Sequence, residues 1–258
     1  MAKDLFDAVY GCLIGGAIGD ALGAPVEGLN HWEIREKCGR LEDLIASPRD
    51  NANQQPGGVT SATAFRQYVA LAIARKGGRI TPNDLGSLWV EKGSFGLLLG
   101  NERSVYEKLS WGANPWDAGR GASPCGTATV AIAPVGIINA GNPAQAYQDG
   151  YVIASVIQDG EERDAAAALA AGIAAALGPG ATLEGVLEAM NQHGSELTRR
   201  AIELALELAN RSDSVLEFSK RFYAQLTDWR MAWPEHRVRP LAEVRPLPED
   251  HPLRNKFY

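Results

Sequence analysis

The stretch GCLIGGAIGDALGAPVEG, Gly11 to Gly28, decides how the chain is read. It is apolar and built from small residues, yet it carries Asp20 and, seven positions later, Glu27. Gly11, Gly15, Gly19 and Gly23 recur every four residues, so they share one face of a helix. Glycine inside a helix costs about 0.5–1 kcal/mol relative to alanine, and the row is expected to allow close packing of another helix. Packing does not explain Asp20, because a carboxylate near a helix C-terminus opposes the macrodipole. Pro25 ends the helix, and Val26-Glu27 can turn back toward Asp20. Two carboxylates at a helix end are material for a metal site or an acid/base pair. The alternative is that Asp20 caps a neighbouring helix.

Working outward, helical periodicity dominates. Helices are expected at about Asp4–Gly23, Ala62–Lys76, Pro82–Lys92, Glu102–Ser110 and Thr127–Asn139. Later ones are expected at about Pro143–Gln158, Glu161–Leu177, Leu183–His193, Glu196–Asn210 and Val215–Leu226. Thr81-Pro82 reads as an N-cap followed by proline in the first turn, and Gly77 and Gly178 read as C-terminal stops. Pro134 must kink or start a helix. Strand alternation persists nowhere, so the expected fold class is all-α, a single multi-helix bundle over residues 1–229. Residues 230–258 carry five prolines and are expected to form an extended tail. Residues 45–58 read as a long polar loop, a kind of segment that is often functional.

The 258 residues, 45% of them hydrophobic, suffice for one sizeable core. A net charge of −6 argues against a sequence-independent nucleic-acid partner. No membrane span is expected, and the start MAKDLFD lacks the positive region of a signal peptide, so a cytoplasmic protein is expected. Three isolated cysteines suggest neither a disulfide framework nor a zinc site. The four histidines share no ligand spacing.

The Gly11–Gly28 run closely resembles the N-terminal signature of the ADP-ribosylglycohydrolase family. GGVTSATAFRQYVALAIA (Gly57–Ala74) resembles the family's second segment, and AIAPVGIINAGNPAQAY (Ala131–Tyr147) its third. The resemblance covers roughly Leu5 to Leu177. It implies an all-α fold with the active cleft at the end of the first helix, and a dinuclear magnesium site beside a bound ribose. The departures are specific. The family's Thr-Asp-Asp-Thr is here Thr60-Ser61-Ala62-Thr63, so both acids are missing. The family's Asn-Gly position reads Cys125-Gly126, its Thr-His pair is replaced within Ile157-Gln158-Asp159-Gly160, and its C-terminal Asp-x-Asp-Thr has no match. Asp20, Glu27 and hydroxyls carry too little charge for two divalent ions, so no dinuclear centre and no metal cofactor is expected, with a single weak ion bridged by a substrate phosphate left as the alternative.

Thr60, Ser61 and Thr63 stand at a helix start, where they cap it or, with the acids gone, leave N–H donors for an anion or a neutral polar group. They are the expected substrate-binding residues, together with Asn101 and Glu102 at the start of a further helix. Trp116 and Asp117-Ala118-Gly119-Arg120 form an aromatic, charged loop near the expected cleft. Two functions follow. One is a metal-independent hydrolase or transferase acting on a ribosyl or other small-molecule substrate, with Glu27 as acid and Asp20 orienting it or stabilising positive charge. The alternative is a catalytically inactive relative kept for binding or structure, and the retained pair Asp20 and Glu27 favours the enzyme. A small-molecule partner and a homodimer are expected, the latter because the missing last segment leaves the first helix in need of cover.

Overall fold

The computed structural model describes residues 5–29, 31–46, 55–93 and 100–231, with the backbone alone at 100–101 and 226–231. Among these there are twelve α-helices and no strand, so the all-α expectation holds. The helices are α1 (Leu5–Gly23), α2 (His31–Cys38), α3 (Ser61–Lys76), α4 (Pro82–Lys92), α5 (Gly100–Ser110), α6 (Thr127–Ala131) and α7 (Ala133–Ile138). They continue as α8 (Pro143–Ala154), α9 (Gly160–Ala176), α10 (Leu183–His193), α11 (Glu196–Asn210) and α12 (Val215–Met231). Two compact units emerge, Met1–Ile202 and Glu203–Tyr258, where one domain to residue 229 was expected. Residues 232–258, the expected tail, lie outside the described residues, as do 47–54 of the long loop. In the second unit, Phe218 and Phe222 stack along α12 with ring centroids 5.7 Å apart.

The first unit is built around α9. Ala166, Ala167, Ala170, Ala171 and Ala174 are fully buried, and their small side chains let α6, α7, α8 and α10 approach closely. Glycine serves that approach here. A Cβ at Gly136 would lie 2.7 Å from the Ala170 carbonyl oxygen, and one at Gly150 would lie 3.0 Å from Ala167 Cα. A second layer joins α3 to α4, where the Phe65 ring meets Trp89 edge-on at 4.7 Å.

The turn chemistry is as the sequence suggests. Thr81 and Asp84 form a reciprocal capping box at the start of α4, and Gly77 ends α3 in the left-handed conformation at φ 71°. The helix expected over Thr127–Asn139 is two helices, α6 and α7, because Pro134 has no N–H to continue the ladder and instead sits in the first turn of α7. The helix α2 was not expected at all. It buries no residue, so it has no apolar stripe to announce it.

The glycine row of α1 requires a correction. Side chains added at Gly11, Gly15, Gly19 or Gly23 would meet no atom within 4 Å, so no helix packs along that face among the described residues. The buried contact of α1 is on the adjoining face. There the Arg66 guanidinium occupies the space of a Gly16 side chain, and its Nε donates to the Val130 carbonyl at 3.1 Å. The expectation that nothing is long and apolar enough to span a membrane also changes. Leu5–Val26, 22 residues, meets that test by length and composition.

Candidate functional site

Asp20 sits in the last turn of α1 and faces the first turn of α3. Its Oδ1 accepts from the Thr60 hydroxyl at 2.6 Å, and its Oδ2 from the Thr60 N–H at 2.9 Å. The same Oδ2 accepts from the Thr63 N–H at 3.1 Å and the Thr63 hydroxyl at 2.6 Å. Thr60 is the N-cap residue of α3, and its hydroxyl oxygen also accepts from the Ala62 N–H at 3.1 Å. The start of α3 therefore does offer donors and a positive dipole end to an anion, and the anion it holds is the chain's own Asp20. That placement offsets the unfavourable position of Asp20 at the end of its own helix.

Glu27 follows the 3-10 turn Ala24–Val26 and is exposed. It does not stand in a dry cleft.

Ser61 and Glu102 do meet. The Ser61 hydroxyl donates to Glu102 Oε1 at 3.5 Å, and the Thr127 hydroxyl donates to the same oxygen at 3.1 Å. The chain of polar groups continues through Cys125, whose Sγ lies 3.3 Å from Thr127 Oγ1 and 3.4 Å from Gln158 Oε1. Gln158 is buried and donates from Nε2 to the Ser123 carbonyl at 2.7 Å. The side chain of Asn101 lies outside the described residues. Cys125, Thr127 and Gln158 were not among the expected site residues. Nothing local in the sequence marks them. Their signal was positional, since each stands in a segment that replaces a family motif.

Gln158 also lines a pocket of about 280 Å³, with Trp116, Asp117, Arg120, Ser155, Asp159 and Arg163. The loop that shapes it is held from both sides. Lys108 Nζ donates to the carbonyls of Ala118 at 3.1 Å and Arg120 at 2.8 Å, and the Gly119 N–H donates to the Ser155 carbonyl at 2.9 Å. Gly119 is buried against backbone, and a Cβ there would lie 2.4 Å from the Gln158 nitrogen. Arg163 is fixed by its Nε bond to the Tyr151 carbonyl at 2.6 Å and by stacking over the Tyr151 ring at 4.0 Å. Its lining thus combines an indole with two guanidinium groups and two carboxylates.

Behind this region Asp164 ties α9 to the start of α11. It accepts from the Ser195 N–H at 3.0 Å and from the hydroxyls of Tyr147 and Thr198. Burial pushes its carboxyl up, but these hydrogen bonds outweigh burial and hold it below the usual carboxylate range. The same burial and the bond to Asp164 push the Tyr147 phenol well up.

Among the described residues, no three or more His, Cys, Asp or Glu side chains gather as a metal site would require. A sequence profile of the ADP-ribosylglycohydrolase family matches residues 1–237. One solved structure, of an ADP-ribosylglycohydrolase-related protein complex, superimposes with a TM-score of 0.65 over 84% of this chain and 80% of that one, at 21% identity. That likeness concerns the fold. An uncharacterized protein of Archaeoglobus fulgidus is 48% identical over 42 residues, which is 16% of this chain and 14% of the relative's length. The profile spans nearly the whole chain, and the chain belongs to the ADP-ribosylglycohydrolase family.

Proposed function

We propose that this chain is a non-catalytic member of its family that binds a ribosyl- or nucleotide-like small molecule without a metal ion. The observation that carries the reading is the occupancy of Asp20. Both of its oxygens are engaged by Thr60 and Thr63, at distances of 2.6–3.1 Å. Magnesium takes oxygen ligands in octahedral geometry, with carboxylates or phosphates supplying the charge. A carboxylate with both oxygens taken by donors, flanked by hydroxyls instead of the two acids, does not fit a pair of such ions. The pocket beside Gln158 supports the ligand class, because Trp116 can stack a base or sugar and Arg120 and Arg163 can pair with phosphate.

Glu27 favours a second reading. The residue is exposed and lies just past the end of the first helix. In that reading the chain is a metal-independent hydrolase or transferase with Glu27 as its acid. Incubation with ADP-ribosylated arginine and serine peptides, in magnesium and in EDTA, tests both. The binding reading expects no release of ADP-ribose above the blank in either buffer. Turnover in wild type that Glu27→Gln removes would overturn it in favour of the hydrolase.

A further inference from the structure

α1 presents two neighbouring rows to solvent. An advance of four residues turns a helix by about 40°, so Phe6, Tyr10, Ile14 and Ile18 form one slowly winding ridge. These four side chains are 71%, 58%, 41% and 50% exposed, and the rings of Phe6 and Tyr10 stack at 6.2 Å. Directly beside the ridge run Gly11, Gly15 and Gly19, which form a groove open to at least 4 Å above each position. The helix is thus ridged and grooved along the same inclined rows. A surface of that kind is complementary to itself. Under a two-fold rotation, the ridge of one copy enters the glycine groove of the other, and the reverse contact is made at the same time.

We propose that α1 is a homodimer interface, in which two copies of α1 cross with ridge in groove. The area agrees with this. The four ridge side chains leave on the order of 500 Å² exposed, near the top of what a monomer normally shows in one apolar patch. Two such faces with their grooves bury roughly 1,000–1,200 Å², the low end of specific interfaces. A lipid bilayer fits less well, although the helix is long enough. Asp7 and Asp20 lie within it, toward its two ends, where a charged side chain is still unfavourable in lipid. Asp20 is also bonded to the start of α3, which holds that end of the helix against the protein.

Sedimentation velocity of the full chain at tens of micromolar tests the interface, with Gly15→Leu and Ile14→Arg beside wild type. Gly15→Leu fills the groove, its Cβ has no atom within 4 Å and leucine improves helix propensity, so the fold is expected to be kept. The expected result is a dimer for wild type, with association weakened at least tenfold in both variants while the far-ultraviolet circular dichroism is unchanged. A wild-type monomer overturns the proposal, whatever then covers the face. A dimer that both variants leave intact overturns it by placing the contact elsewhere. Flotation of wild type with phosphatidylcholine–phosphatidylglycerol vesicles also overturns it, in favour of a membrane surface.

Discussion

Thr63 donates twice to one oxygen of Asp20, from its backbone N–H at 3.1 Å and its hydroxyl at 2.6 Å. With the two bonds from Thr60, this makes Asp20 the point at which the end of α1 is fastened to the start of α3. Asp20→Ala removes a charged cap and leaves four donors to find other acceptors. It is expected to lower stability by about 2 kcal/mol, measured by urea unfolding. Asp20→Asn, which keeps the oxygen that can accept, is expected to cost less. A loss of under about 0.5 kcal/mol in Asp20→Ala would mean the cap is not holding the two helices.

Gly119 lies against the backbone of Ile157 and Gln158, with no room for a methyl group. Gly119→Ala must part the pocket loop from the segment carrying Gln158 and break the bond from its own N–H to the Ser155 carbonyl. The expected cost is about 1–3 kcal/mol, the range for overpacking a filled site. Ligand affinity should fall with it. An unaltered melting temperature would contradict the close approach.

The acid limb of stability is set by carboxylates held below their usual range. Burial pushes Asp149 up, but bonds from Arg79 and Asn139 outweigh it, just as the donors around Asp164 do. A carboxylate with a lowered folded-state pKa stabilises fully above its unfolded value of about 3.9. That contribution is lost as pH falls through the lower folded value. Stability is therefore expected to be flat through neutral pH and to fall below about pH 4. Asp164→Asn should lower the neutral plateau by about 2 kcal/mol and make the acid limb shallower, as read by urea unfolding at several pH values. A variant with an unchanged acid limb would exclude Asp164 as a source of it.

Arg120 lines the pocket and is the group proposed to pair with an anionic part of the ligand. Its backbone carbonyl takes the Lys108 ammonium, so the loop position does not depend on the guanidinium. Arg120→Ala is expected to weaken ADP-ribose binding about tenfold or more, the effect of one lost charge-assisted hydrogen bond, with no change in melting temperature. An unchanged affinity would place the ligand outside this pocket.

The local signals in the sequence were sound where one residue does the work. Thr81 and Pro82 start α4 and Gly77 ends α3, because caps and stops act within a turn of themselves. Pro134 announced a break but not its form, which depends on how α7 packs against α9. The glycine row of α1 was misread for a related reason. Glycine spacing specifies a smooth face, but which body meets it is a tertiary fact, and the close helix contacts are made by Gly136 and Gly150 instead. At the site, Asp20 and T-S-A-T were visible as features, but that Asp20 accepts from Thr60 and Thr63 is seen only in the fold. The chain Ser61, Glu102, Thr127, Cys125, Gln158 was not legible, since it joins segments up to 41 residues apart through side chains with no shared spacing.

The most direct test is calorimetry of ADP-ribose binding, first in magnesium and then in EDTA. The account predicts binding with the same affinity in both buffers, because no metal ion takes part in holding the ligand. Binding that appears only with magnesium would mean that Asp20 is released from Thr60 and Thr63 to serve a metal centre, and would contradict the account. So would the absence of binding in either buffer, which would remove ADP-ribose-like ligands from the site.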